Sequence, residues 1–296
     1  MILESNHSKE AIQEITRTQF KGKDPQLVEK ILMAMTLLEL LVQEKIEFVF
    51  KGGTCLLLLL KTPRRFSIDL DLIVTKRDDL LTTLIKVCED SKLFTRFEED
   101  VRVESKIPKA HYKVFYQSFI SGKESYVLID IIEDNYPYPN TQDSEIRLGY
   151  FQLNDSILKV KTPSIDGILG DKLTAFAPRT TGILLGKNKE MEIAKQFFDV
   201  ASLFDHATSL EEIKKTFNLV ARKEIAYREL VINEVEVLND TFETSMIIAL
   251  QGTHLPTIHT ELQKGTSSLK NYIFDSFGSA QIHVCASNTL IFVNCY

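Results

Sequence analysis

Between Phe48 and Val74 the chain reads FVFKGGTCLLLLLKTPRRFSIDLDLIV, and this stretch restricts the possible folds more than any other. A short apolar strand runs into a Gly52-Gly53 turn, an apolar helix is predicted over residues 54–61, and a strand over 68–74 carries two carboxylates. Asp69 and Asp71 stand two residues apart, so on a strand both project from one face. Two like charges side by side in an apolar strand are costly to bury unless a cation lies between them. A hard divalent ion with oxygen ligands, Mg²⁺ foremost, is the natural neutraliser. The Gly-Gly turn ahead of a helix offers unhindered backbone N–H groups and a helix N-terminus, both suited to phosphate. For a lone Asp-x-Asp the bland reading, an edge strand with solvated acids, usually wins. Here the Gly-Gly pair lies sixteen residues upstream with strand patterns on both sides, and the combination favours a metal site in nucleotide chemistry.

A two-metal site needs more carboxylate than this pair supplies. Asp130, within VLIDII, is the best third acid, because a mid-strand carboxylate flanked by aliphatic residues needs a partner or water. If its strand neighbours the Asp69–Asp71 strand, the three acids can meet; otherwise Asp130 faces solvent or pairs with a lysine. Glu133 and Asp134, at the strand end, are weaker candidates. Further on, Lys172 follows the helical apolar positions Ile165, Ile168 and Leu169. Its ammonium can snorkel to water, or point at a triphosphate as a compact charge. Asp199 lies among Phe197, Phe198, Val200 and Leu203, as a paired core charge or a working residue. Lys172 and Asp199 can also pair with each other if their helices pack.

Composition narrows the class without naming a function. The chain has 296 residues, 44% of them hydrophobic and 26% charged, as in an ordinary globular protein of one large or two modest domains. No apolar run approaches the roughly 20 residues needed to cross a bilayer. The nearest, Ile31 to Val42, is interrupted by Glu39 and reads as a core helix, so no membrane partner is expected. The N-terminus lacks the build of a signal peptide, which points to the cytoplasm. Cys55, Cys88, Cys285 and Cys295 form no CxxC pair, and a Cys285–Cys295 disulfide is disfavoured in a reducing compartment. The net charge of −6 does not mark a nucleic-acid binder, yet local patches count for more. Two exist: Lys61, Arg64 and Arg65, then Arg179, Lys187, Lys189 and Lys195.

Helical periodicity is predicted at residues 8–19, 25–46 and 78–90, the second entered through Asp24-Pro25. From about Leu93 to Val160 the period becomes two, with strands over 111–119 and 125–132 joined at Ser121-Gly122-Lys123. After Lys161-Thr-Pro163 the chain turns helical, with helices near 163–177, 188–206, 209–221 and 223–250, the last either continuous or broken. The expected organisation is an α/β domain over 1–160, a helical domain over 161–278 and a tail over 279–296. That tail reads as a terminal strand, a loosely ordered end or an artefact.

The order of these motifs resembles a known family. Residues 48–74 are similar to the opening motif of the DNA polymerase β-like nucleotidyltransferases: Gly-Gly or Gly-Ser, a spacer, then Asp-x-Asp. The wording Lys-Gly-Gly-Thr…Arg-Arg-Phe-Ser-Ile-Asp-Leu-Asp-Leu, with Asp-Lys-Leu-Thr-Ala at Lys172 and Phe-Phe-Asp-Val at Asp199, more narrowly resembles the AbiEii family. These are nucleotidyltransferase toxins of abortive-infection toxin–antitoxin systems. The resemblance implies an α+β fold, a mixed sheet with flanking helices followed by a helical C-terminal domain that completes the active-site cleft. It implies that Asp69, Asp71 and Asp130 hold Mg²⁺, or Mn²⁺ in its place, and that Asp130 activates the attacking hydroxyl. Gly52, Gly53 and Thr54 would cradle the nucleotide phosphates, with Arg65 and Ser67 beside them. Lys172 would bind the triphosphate and Asp199 would complete the site. The implied reaction moves an NMP from an NTP to a hydroxyl, with the 3′ end of tRNA as the leading acceptor and a cognate antitoxin as partner. Two alternatives stand beside it: transfer to a small molecule or protein, and an NTP-binding module with little catalysis.

Overall fold

The computed structural model describes residues 1–101 and 108–294. The first helix, α1 (Lys9–Gln19), is capped by the Ser8 hydroxyl accepting from the Ala11 N–H. In α2 (Pro25–Gln43), Asp24 accepts from Gln26 N–H and proline occupies the first turn, as the cap-then-proline entry predicts. Most of α2 is buried, and its two buried acids are tied down. Glu29 accepts from the Ser118 hydroxyl at 2.7 Å and the Phe119 N–H at 2.5 Å, while Glu39 accepts from Ile2 N–H at 3.0 Å. The Ile31–Val42 run is therefore a core helix. Among the described residues, no helix is long and apolar enough to cross a membrane.

The chain then lays down β1 (Phe48–Lys51), α3 (Gly52–Leu59), β2 (Leu70–Val74), α4 (Arg77–Asp90), β3 (Phe94–Glu99), β4 (Lys109–Gln117) and β5 (Glu124–Glu133). The five strands form one mixed sheet in the order β1-β2-β5-β4-β3. Every neighbouring pair is antiparallel except the central β2–β5, which is parallel. The β4–β5 hairpin closes at Ser121-Gly122-Lys123, with Gly122 at φ +67°. One face of the sheet is core, carrying Leu70, Leu72, Ile129 and Ile131; on the other face Val49 and Ile73 are also buried, while Asp71 and Asp130 are only half-buried. A two-stranded ribbon follows, β6 (Thr141–Glu145) and β7 (Lys159–Pro163), locked by the Ser144 and Thr162 hydroxyls at 2.7 Å. The carboxylate strand is shorter than its 68–74 expectation: it starts at Leu70, so Asp69 sits on the approach to the strand.

Beyond Pro163 the chain is helical: α5 (Ile165–Ala175), α6 (Glu190–Phe204), α7 (Leu210–Tyr227), α8 (Glu234–Ala249), α9 (Pro256–Leu269) and α10 (Ser279–Asn294). One alternative left open in the sequence is settled here and one expectation changes. The helix expected over 223–250 is broken: α7 runs on to Tyr227, Glu229 turns left-handed at φ +52°, and an Asn233–Glu236 capping box opens α8. The stretch from Ser279 is a helix rather than a strand or loose end. α10 buries Cys285, Ala286, Thr289, Phe292 and Val293, with the Phe292 ring 6.1 Å from Phe204 of α6. Its apolar side chains recur without a clean helical stripe, which hid the helix. Cys295 lies outside the described residues, and so does any Cys285–Cys295 pairing.

The chain clusters into two compact units, Met1–Tyr136 with Thr141–Thr162, and Pro137–Asn140 with Pro163–Tyr296. The four residues Pro137–Asn140, between β5 and β6, thus belong with the helices. Tyr138 donates its hydroxyl to Asp171 of α5 at 2.6 Å, and the Asn140 amide donates to Glu212 of α7 at 2.8 Å.

Candidate active site

The site is built on the half-open face of the sheet. In the parallel β2–β5 pair, Asp71 and Asp130 are direct register partners. Lys51 is the register partner of Asp71 on one side, and His111 that of Asp130 on the other. Cross-strand partners share a face, so one row runs Lys51–Asp71–Asp130–His111 across four strands. The Asp130 position anticipated from the aliphatic strand is therefore beside Asp71. Asp69, two residues earlier, is half-buried at the entrance to β2.

The Gly-Gly turn is pressed against this row. Gly52 has φ +76°, and a Cβ there would lie 1.9 Å from Asp71 Oδ2, so both backbone and carboxylate demand glycine. A Cβ on Gly53 would lie 2.5 Å from Arg65 Nη2 and 2.8 Å from Ser67 Oγ. The buried Thr54 hydroxyl meets Ser67 Oγ at 2.9 Å. Arg65 is buried, with Nη1 donating to the Phe66 carbonyl at 2.9 Å. Gly52, Gly53, Thr54, Arg65, Ser67 and Asp71 are thus one constellation, made by folding the Arg64–Ser67 loop back over the start of α3.

The weaker acids have other tasks. Glu133 Oε1 accepts from Arg77 N–H at 3.2 Å at the start of α4, and Asp134 Oδ1 accepts from Asn135 N–H at 2.6 Å. In the helical unit Lys172 Nζ is 2.9 Å from Asp199 Oδ2 and 2.8 Å from Gln196 Oε1, and all but buried. That is the pairing held open from sequence. The second basic patch is thinned: Arg179 is bound to Asp240 at 2.9 Å and Glu243 at 2.6 Å, and Lys195 lies 5.2 Å from the Tyr272 ring centroid. Lys187 and Lys189 are exposed, as is Lys61 of the first patch.

Among the described residues no group of three or more His, Cys, Asp or Glu side chains is gathered tightly enough to hold a metal. The donor chemistry nevertheless suits one. Two in-register carboxylates, with a third close by in sequence, form an all-oxygen set for a hard divalent ion. His111 was missed in the sequence. Its Nδ1 lies 2.5 Å from Asp130 Oδ1, a neighbour that register alone creates.

The family model described as "Nucleotidyl transferase AbiEii toxin, Type IV TA system" matches residues 36–253, a span holding the whole constellation and the Lys172–Asp199 pair. No curated protein sequence matches the chain. Among solved structures, JHP933 from Helicobacter pylori is similar at 18% identity, covering 82% of this chain and 97% of that one, with a TM-score of 0.42. An antigenic nucleotidyltransferase-like protein from Paracoccidioides brasiliensis is similar at 15% identity, covering 69% of this chain and 94% of that one, also with a TM-score of 0.42.

Proposed function

This chain belongs to the AbiEii nucleotidyl transferase toxin family, and on that premise we propose that it moves an NMP from an NTP to the 3′-terminal hydroxyl of tRNA as a growth-arresting toxin. The nucleotidyltransferase class, an NTP substrate and an antitoxin partner follow from the family. The tRNA acceptor and dependence on Mg²⁺ or Mn²⁺ are our reading. The observation that carries it is the placement of Asp71 beside Asp130 with Gly52 packed onto the Asp71 carboxylate.

In this reading Asp69, Asp71 and Asp130 hold the divalent cation. When bound, the cation supplies positive charge for the oxygens on which negative charge develops. The Gly52–Gly53–Thr54 backbone and the Ser67 hydroxyl, steadied by the Thr54 side chain, receive the phosphates, and Arg65 adds positive charge beside Gly53. The acceptor oxygen forms a bond to the α-phosphorus while the bond to the leaving pyrophosphate breaks. Asp130 takes the hydroxyl proton, a task suited to a carboxylate held on a rigid strand. Lys172 neutralises phosphate charge, with Asp199 and Gln196 fixing its direction. The exposed Lys61, Lys187 and Lys189 contribute phosphate contacts to a large RNA acceptor, so binding weakens steeply as salt rises.

The test incubates the full chain with Mg²⁺, each labelled NTP in turn and total tRNA, beside an Asp69→Ala, Asp71→Ala variant. Label on tRNA that vanishes in the variant is the expected result and names the nucleotide. Label on the protein itself, or pyrophosphate release without labelled RNA, would replace tRNA by a protein or small-molecule acceptor. Tight NTP binding without pyrophosphate would replace transfer by nucleotide sensing. The toxin role is tested separately: induced wild type should arrest growth, and harmless expression of an enzyme active in vitro would overturn it.

A further inference from the structure

We propose that His111 is the positioning residue for Asp130. It would hold the third carboxylate in its cation-binding and proton-accepting orientation through an Nδ1–H···Oδ1 hydrogen bond. The inference rests on the reading of Asp130 as an active-site acid. The two residues are register partners on adjacent antiparallel strands, and His111 Nδ1 lies within hydrogen-bond reach of Asp130 Oδ1. An ionised carboxylate can only accept, so Nδ1 carries the proton.

The need for such a partner follows from the strand itself. On the half-open face the side chains flanking Asp130 along β5 are Leu128 and Ile132, neither of which can hydrogen-bond. Across the sheet one neighbour is Asp71, another acid. Repulsion from Asp71 would swing a loosely held carboxylate away from the place where the two must act together. His111 occupies the remaining cross-strand position and fixes one of the two oxygens. Its ring is also well packed, with 18% of the side chain exposed against 31% for Asp130, so the donor is steadier than the group it holds. Partners behind metal-binding side chains typically change cation affinity by about 10–100-fold when removed.

The experiment measures Mn²⁺ binding to the full chain by the loss of the free-ion paramagnetic resonance signal, without nucleotide or turnover. Three variants are compared with wild type: His111→Phe keeps the ring and loses the donor, His111→Asn puts an amide N–H near the Nδ1 position, and His111→Gln carries it one bond too far. Thermal unfolding identifies which variants keep the fold, and the Asn–Gln comparison suffices if the Phe variant does not. The expected result is Mn²⁺ affinity about tenfold weaker in the Phe and Gln variants, with the Asn variant restored to within about threefold. Equal affinity in all four proteins would overturn the positioning role and leave the cation reading standing. Loss in all three variants with unchanged unfolding would overturn the hydrogen bond as its basis. No Mn²⁺ bound even by wild type would overturn both readings together.

Discussion

Asp71 and Asp130 sit directly across from each other on two parallel strands, two acids where a sheet ordinarily pairs apolar or oppositely charged side chains. Like charges at such a position weaken a sheet. Asp71→Asn removes the repulsion from Asp130 and the attraction of Lys51 together, so stability in cation-free buffer should change by less than about 1 kcal/mol while nucleotidyl transfer falls at least about a hundredfold. Added Mg²⁺ should raise the melting temperature of wild type and leave that of the variant unmoved, since only a bound ligand shifts the folding equilibrium. Melting curves with and without Mg²⁺, beside a transfer assay, check both halves. A variant that is less stable and still active would show the acid to be structural.

Gly52 and Gly122 provide a matched comparison. Both have positive φ, but a Cβ at Gly122 meets nothing within 4 Å, whereas one at Gly52 runs into the Asp71 carboxylate. Gly122→Ala should cost only the left-handed backbone penalty, about 1–2 kcal/mol. Gly52→Ala should cost more, and should also reduce transfer sharply by displacing Asp71. Denaturant midpoints and initial rates for the two variants separate backbone strain from the collision.

Lys172 and Asp199 form a nearly fully buried pair, so removing one partner strands the other. Lys172→Met should destabilise the chain by about 3–5 kcal/mol, and adding Asp199→Asn should recover a large part of that loss. The cycle is read from urea unfolding. A Lys172→Met variant as stable as wild type would show that the ammonium is held for phosphate rather than for the fold.

His7 gives the fold an acid-sensitive point away from the site. Burial pushes its pKa below the ordinary value of 6.5, and its Nε2 meets the Thr36 hydroxyl at 2.9 Å. The unfolded chain therefore takes up a proton at a pH where the folded one resists it. The contribution of His7 is complete above the ordinary value and is lost as pH falls from there towards the depressed pKa, then stays constant. His7→Phe, which keeps a ring beside Phe119, should flatten the fall in melting temperature across that window. An unchanged slope would assign the acid sensitivity to other groups.

The Gly-Gly/Asp-x-Asp stretch and Asp130 could be read from sequence because their chemistry is local: glycines before a helix, acids in apolar strands. That Asp71 and Asp130 are partners could not, because the pairing is set by a crossover running through β3 and β4. His111 was invisible for the same reason. A histidine in an alternating strand has no signature until its neighbour is known. The Lys172–Asp199 pair was legible only as one of several outcomes, because helical periodicity gives a face and not the helix packed against it. Arg179 counted as part of a basic patch until Asp240 and Glu243, far along the chain, proved to bind it. The break between α7 and α8 turns on Glu229 adopting a left-handed conformation, which that residue type does not advertise.

Because Pro137–Asn140 belongs with the helices while the ribbon that follows it belongs with the sheet, the polypeptide passes between the two units three times. On the ribosome, Tyr138 and Asn140 emerge well before Asp171 and Glu212, so these anchors wait for partners not yet made. A gene cut at residue 163 would give neither half intact: the first piece would carry a strap with nothing to fasten to, and the second would lack it. Exchanging the helical unit between relatives, to ask whether it selects the acceptor, would have to carry those four residues along.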